Sequence, residues 1–156
     1  MAHASVTVIV LDTWCTLRDD GGLEIHDGSG EQAFRKEQRE WFGETLDSAP
    51  GIKVVLAHAH TWPPASRPQD NEDVDDLIDM LLGTYEEGVV HSPANAFLSG
   101  GHHHHGTECN RLDGVYFIDP AAGIHGAYAR VVIEPFERRM DYLGRLDERS
   151  YLGLDI

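Results

Sequence analysis

Lysine is almost missing from this 156-residue chain: only Lys36 and Lys53 occur, beside ten arginines. Acidic residues outnumber basic ones 27 to 12, which leaves a net charge of -15. Without a basic patch such a surface repels nucleic-acid backbones, so no nucleic-acid partner is expected, and a polyanionic substrate would need a metal to hold it. Cysteine is equally scarce. Cys15 and Cys109 are far apart, so neither a disulfide framework nor a paired-cysteine zinc knuckle can be argued. Long apolar runs are missing too: no stretch approaches the roughly 20 residues of a membrane span. The opening MAHASVTVIVLDT shows neither a basic leader region nor a small-residue cleavage signature. The expectation is a cytoplasmic protein with no membrane partner.

Apolar residues make up 41% of the chain and charged residues 25%, ordinary proportions for one globular domain with a real core. An acid-rich, lysine-poor surface resembles that of proteins from salt-loving organisms, which stay hydrated in concentrated salt. A merely acidic protein is the alternative.

Ser5 to Leu11 is apolar and β-branched almost without interruption, as in a strand covered on both faces. Asp12 to Gly30 holds four glycines and several acids, which predicts a loop with room for a short hairpin. Phe34, Trp41, Phe42 and Leu46 fall on one helical face within Glu31 to Leu46, and Pro50-Gly51 closes that helix. Ile52 to Ala57 is a second strand. Val74, Leu77, Ile78, Leu81 and Leu82 mark a second amphipathic helix, with Asn71 as its cap. Ala96 to Ser99, Gly114 to Ile118 and Tyr128 to Ile133 are further strands. Residues 1–136 read as one domain, and 137–156 as a charged, weakly helical tail.

The chemistry lies in the histidines. Gly101-His102-His103-His104-His105-Gly106 places four imidazoles, good ligands for divalent transition metals, in a glycine-flanked loop that begins where a strand ends. In an extended segment His102 and His104 point one way and His103 and His105 the other, so one pair serves a given site. A solvated histidine run is the competing explanation, as is an engineered tag, although a tag normally has six histidines at a terminus. His58 stands at the end of another strand, with His60 two residues on, before a proline-rich loop. Ligands of α/β metal sites gather at strand ends. His91 and His125 flank turns and read as structural, and His3 and His26 as surface residues.

In order and spacing, several segments resemble the C-terminal half of the calcineurin-like metallophosphoesterases. Leu11-Asp12-Thr13 looks like that family's strand ending in Leu-Asp-Ser/Thr. Glu37 to Phe42 looks like its Gln-Leu-x-Trp-Leu helix, and Lys53 to His58 like its strand-then-histidine element. Gly101 to His104 matches Gly-His-x-His, and Leu112 to Ile118 looks like the strand that follows. The resemblance spans roughly three-quarters of the chain. It implies that His58 and His102 bind one divalent cation (Mn, Fe or Zn) and His104 a second. His103 would be the variable position, and His60 a supporting or substrate contact. The implied chemistry is two-metal hydrolysis of phosphomonoesters or phosphodiesters: polarisation of a phosphoryl oxygen, hydroxide at neutral pH and in-line attack.

The departure is as informative. Asp-x-His, the Gly-Asp motif and Gly-Asn-His, which supply the family's carboxylates, its bridging ligand and the histidine that assists the leaving group, do not occur. Three imidazoles cannot neutralise two divalent cations about 3.5–4 Å apart, so the chain alone should be a poor hydrolase and no residue in it is assigned a catalytic role. The expectation is a truncated or split half, acting on a phosphate ester once completed by an N-terminal half. The alternative is a non-catalytic metal-binding or interaction module with one three-histidine site. A third view is a plain α/β domain with a histidine-rich surface loop. The implied fold is α/β (α+β), half of a four-layer αββα sandwich, with a mixed sheet of five or six strands and two main helices. The face left by the missing half should be unusually apolar, favouring a homodimer, a complementing chain or aggregation.

Overall fold

The structure is a computed structural model, and it describes residues 4–12, 15–17, 23–25, 36–57, 72–84, 90–99, 108–119, 128–145 and 150–156. Its elements in chain order are β1 (Val6–Leu11), β2 (Cys15–Leu17), β3 (Leu23–Ile25), α1 (Lys36–Ser48), β4 (Ile52–Ala57), α2 (Glu72–Leu82), β5 (Ala96–Ser99), β6 (Glu108–Leu112), β7 (Val115–Asp119), β8 (Tyr128–Glu134), β9 (Arg139–Arg145) and β10 (Ser150–Asp155). The main sheet has five strands in the order β1-β4-β5-β7-β6. Its first four run parallel, and β6 is antiparallel to β7. A second, antiparallel sheet has the order β10-β9-β8, and β2 pairs with β3 in a short hairpin. The fold class is therefore α+β, with the mixed five-stranded sheet and two helices expected. Among the described residues no helix is long and apolar enough to cross a membrane.

Alternation along the strands divides the core in two. Ile9, Leu11, Val55, Ala57, Phe97, Val115 and Phe117 point to one face, where Phe42 and Leu46 of α1 and Leu77, Ile78 and Leu81 of α2 cover them. Ile52, Val54, Ala96, Tyr116 and Ile118 point to the other, against Met140, Tyr142 and Ile156. The layers are thus helices, main sheet, small sheet. Both helices show the predicted amphipathicity, and Arg39 of α1 forms an ion pair with Asp76 of α2. Trp41 departs from expectation, since it is 48% exposed while its neighbour Phe42 is fully buried. At 100° per residue, the face holding Phe42 and Leu46 turns the preceding side chain outward.

Two turns fix the strand order. Gly51, at φ +77°, leads from α1 into β4, where the Ile52 N–H donates to Ser5 O at 3.0 Å. Asp113 (φ 45°) and Gly114 (φ 90°) form the two-residue turn between β6 and β7. Asp-Gly is a strong hairpin signal, and it marks β6 as a strand that its mixed residues ECNRL conceal.

The weak helix expected after Glu137 is corrected. This stretch forms β9 and β10, and Met140 and Tyr142 are buried against the main sheet. Met140 and Tyr142 alternate with exposed or half-exposed positions at a period of two, which suits a one-sided strand. Phe34 and Asn71 lie outside the described residues.

Candidate functional site

The parallel strands end in one row. Leu11 is the register partner of Ala57, and Ala57 that of Ser99. Leu98 pairs with Ile118, which brings Ser99 beside Asp119. Neighbouring strands lie about 4.8 Å apart, so the four chain ends form a compact ridge. From it the chain continues into Asp12 after β1, His58 after β4, the glycine-histidine run after β5 and Pro120 after β7. This edge holds the C-terminal ends of all four parallel strands, where open α/β sheets place ligands.

The histidines themselves, His58, His60, His102, His103 and His104, lie outside the described residues. Their anchors, Ala57 and Ser99, do not, and the sheet puts these side by side. The parallel pairing of β4 with β5 makes Ala57 and Ser99, the last described residues before the two histidine segments in sequence, neighbours in space.

The row also contains a pair that sequence reasoning passed over. The Ser99 hydroxyl donates to Asp119 Oδ1 at 2.9 Å, and both residues are only 6% exposed. A carboxyl group so buried needs polar partners, since unpaired burial costs several kcal/mol. Its signal was available: an acidic residue directly after the apolar run Val115 to Ile118, at the end of a strand. Asp12, at the edge of the same row, is exposed. No group of three or more histidine, cysteine or acidic side chains placed to hold a metal occurs among the described residues.

His91 has the structural role expected of it. Its Nδ1 lies 2.9 Å from Asp47 Oδ2, while the Ser92 N–H donates to Asp47 Oδ1 at 2.8 Å. The hydrogen bond from His91, then that from Ser92, holds the Asp47 carboxyl below its ordinary pKa. Nearby Lys53 is buried, and burial lowers its pKa, with Asp47 opposing. These groups tie the segment before β5 to the C-terminal end of α1, away from the strand-end row. Cys109 is a free thiol whose pKa burial pushes up to about 11, so it stays protonated and a poor nucleophile at neutral pH.

No protein-family model, curated protein or solved structure matches this chain.

Proposed function

We propose that the chain carries the histidine half of a divalent-metal site at the C-terminal ends of its parallel strands, and that the site belongs to a phosphoesterase of the metallophosphoesterase type. The observation that carries the proposal is the register Leu11–Ala57–Ser99, continued by the Ser99–Asp119 hydrogen bond. His58 follows Ala57 directly. His102 is three residues beyond Ser99, and three residues span at most about 11 Å, so chain length alone permits both histidines to reach one stretch of the sheet edge.

The donor set fits a transition cation. His58, His102 and His104 would hold it, and neutral imidazoles beside a carboxylate suit Zn, Mn or Fe. A bound cation would supply Lewis-acid polarisation of a phosphoryl oxygen and a nucleophilic hydroxide. Ser99 fixes the Asp119 carboxyl at the row, where it can orient an imidazole through the ring nitrogen that faces away from the metal. The glycines flanking the histidine run give the backbone the freedom that close convergence of rings needs. The remaining carboxylate ligands would come from a segment outside these residues, in the same or another polypeptide. Two thiols without a disulfide framework suit the reducing cytoplasm.

A second reading rests on the lack of Asp-x-His and Gly-Asn-His: one cation held by three histidines without hydrolysis. Metal-free protein should take up Zn or Mn stoichiometrically by calorimetry, and His58→Ala/His102→Ala/His104→Ala should lose that uptake. Equal binding by the triple variant would sink both readings. Hydrolysis of bis-p-nitrophenyl phosphate with Mn, in the presence of a chain or upstream segment bearing the missing motifs, separates them. Tight metal uptake without turnover in that mixture leaves only the binding module.

A further inference from the structure

One oxygen in the first turns of α1 is buried without a donor. Gln38 Oε1 is shielded from water, and among the described residues nothing donates a hydrogen bond to it. A buried carbonyl oxygen has given up its water, and native chains seldom leave one without a replacement. Its donor therefore comes from a residue outside the described ones or from a ligand.

The fold fixes where that oxygen sits. α1 carries the chain from the end of β1 back to the start of the parallel strand β4, so it runs against both. Its C-terminal end is held at the far edge, where the Ile52 N–H donates to Ser5 O. The 13 residues of α1 rise about 20 Å, as do the 6 residues of β4, so the first turn of α1 stands level with the row of strand ends. Gln38 precedes Phe42 by one turn and shares its face. Phe42 is fully buried in one cluster with Leu11 and Ala57, the last residues of β1 and β4. Gln38 lies about 5.4 Å nearer the strand-end edge than Phe42, and helical side chains lean toward the N-terminus of their helix, here toward that edge. The ion pair of Arg39 with Asp76 fastens the same part of α1 to α2, which also runs against the strands it connects.

The polar groups described at that edge do not supply the donor. Asp12 is a carboxylate, which only accepts, and the Ser99 hydroxyl donates to Asp119. An imidazole that binds a metal through one ring nitrogen keeps an N–H on the other, and that N–H needs an acceptor. We infer that Gln38 is a positioning residue of the metal site proposed above, on which this step rests, and that its Oε1 accepts the ring N–H of an imidazole ligand. His58 follows Ala57 directly and is the ligand that chain order brings nearest. The hydrogen bond fixes the tautomer that leaves the other nitrogen free for the metal, holds the ring in place and makes it a more basic ligand. Asp119 cannot serve both ends of the row, because β7 lies two strands, roughly 9.6 Å, from β4.

The test titrates the metal-free full chain with Zn by calorimetry and follows urea unfolding of the same metal-free protein. Gln38→Leu keeps the bulk of the side chain and removes the acceptor. It should bind Zn about 10–100-fold more weakly than the parent. Its metal-free urea midpoint should be unchanged or higher, because an apolar group replaces an unpaired buried oxygen. Gln38→Glu keeps an oxygen in place and should bind Zn at least as tightly as the parent. In the Zn-bound parent, NMR of nitrogen-labelled imidazoles should show a ring N–H that exchanges slowly with water, present in Gln38→Glu and lost in Gln38→Leu. A donor elsewhere in the chain would make Gln38 structural, with a lower metal-free midpoint in Gln38→Leu and unchanged Zn affinity. Either of those results, equal loss of affinity in the Leu and Glu variants, or a slow N–H that survives in Gln38→Leu would overturn the inference. Failure of the site itself is distinct: the parent and His58→Ala/His102→Ala/His104→Ala would then take up Zn equally, and the role of Gln38 falls with the site. If only the parent binds Zn and Gln38→Leu binds it as tightly, the site stands and the role of Gln38 alone is refuted.

Discussion

Replacing Gly51 with alanine tests whether the turn before β4 sets the line of strand ends. At φ +77° an alanine adopts the left-handed region, which costs about 1–2 kcal/mol. Its Cβ would also lie 2.1 Å from Ser5 O, a backbone atom that cannot rotate away. Ser5 O accepts the Ile52 N–H at 3.0 Å, so relieving the clash gives up that hydrogen bond, a further ~1 kcal/mol or so. The expected loss is about 2–3 kcal/mol. With m of about 1–3 kcal/mol/M for urea, the unfolding midpoint should fall by roughly 0.7–3 M. Gly114→Ala is the control. Its φ is +90°, but an added Cβ would meet nothing within 4 Å, so only the backbone cost of about 1–2 kcal/mol applies. Urea titrations followed by circular dichroism compare the two. Equal losses would refute the steric argument and, with it, the claim that the contact of Gly51 with Ser5 holds β1 in register with β4.

Other expectations follow from burial and charge. Phe42→Ala should cost about 3–5 kcal/mol in urea unfolding, because its side chain is fully buried, whereas Trp41→Ala should stay within about 0.5 kcal/mol. Asp47 has a folded pKa below its ordinary 3.8, so its stabilisation is fully present above that value and disappears as pH falls through the lowered one. Because the Asp47 side chain is 48% exposed, the effect should stay under about 1 kcal/mol, and Asp47→Asn should lower the neutral part of a stability-against-pH curve by that amount, leave the acid end unmoved and so flatten the acid limb. An acid limb as steep in the variant as in the parent would refute that assignment. In Cys15→Ser protein, Cys109 should react with a disulfide reagent far more slowly at pH 8 when folded than in urea, since its thiol titrates near 11. Equal rates would show the thiol to be accessible and unperturbed.

Local pattern decided much of this protein. Largely apolar runs marked β1, β4 and β5; β4 and β5 lie between the helices and the small sheet and are apolar on both faces, whereas β1, equally apolar, is covered only on the helix side. The helical period of Leu77, Ile78 and Leu81 marked α2. The strands that escaped were those whose stability is not local: β6 carries charged and polar residues at an edge, and β9 and β10 mix charges with single apolar anchors such as Met140 and Tyr142. Burial against the main sheet holds those anchors, and the period-two alternation of Met140 and Tyr142, only two apolar positions long among charges, is too short to announce that face in advance. The histidine run and His58 stood out in the sequence by residue type and by following strands. Only the parallel pairing of β4 with β5 and β7 made Ala57, Ser99 and Asp119 one row, because which strands become neighbours depends on how the helices and the small sheet cover the two faces. The same covering, stopping short of β1, leaves Val6, Val8 and Val10 open to water, although their residue types alone would have placed them in the core.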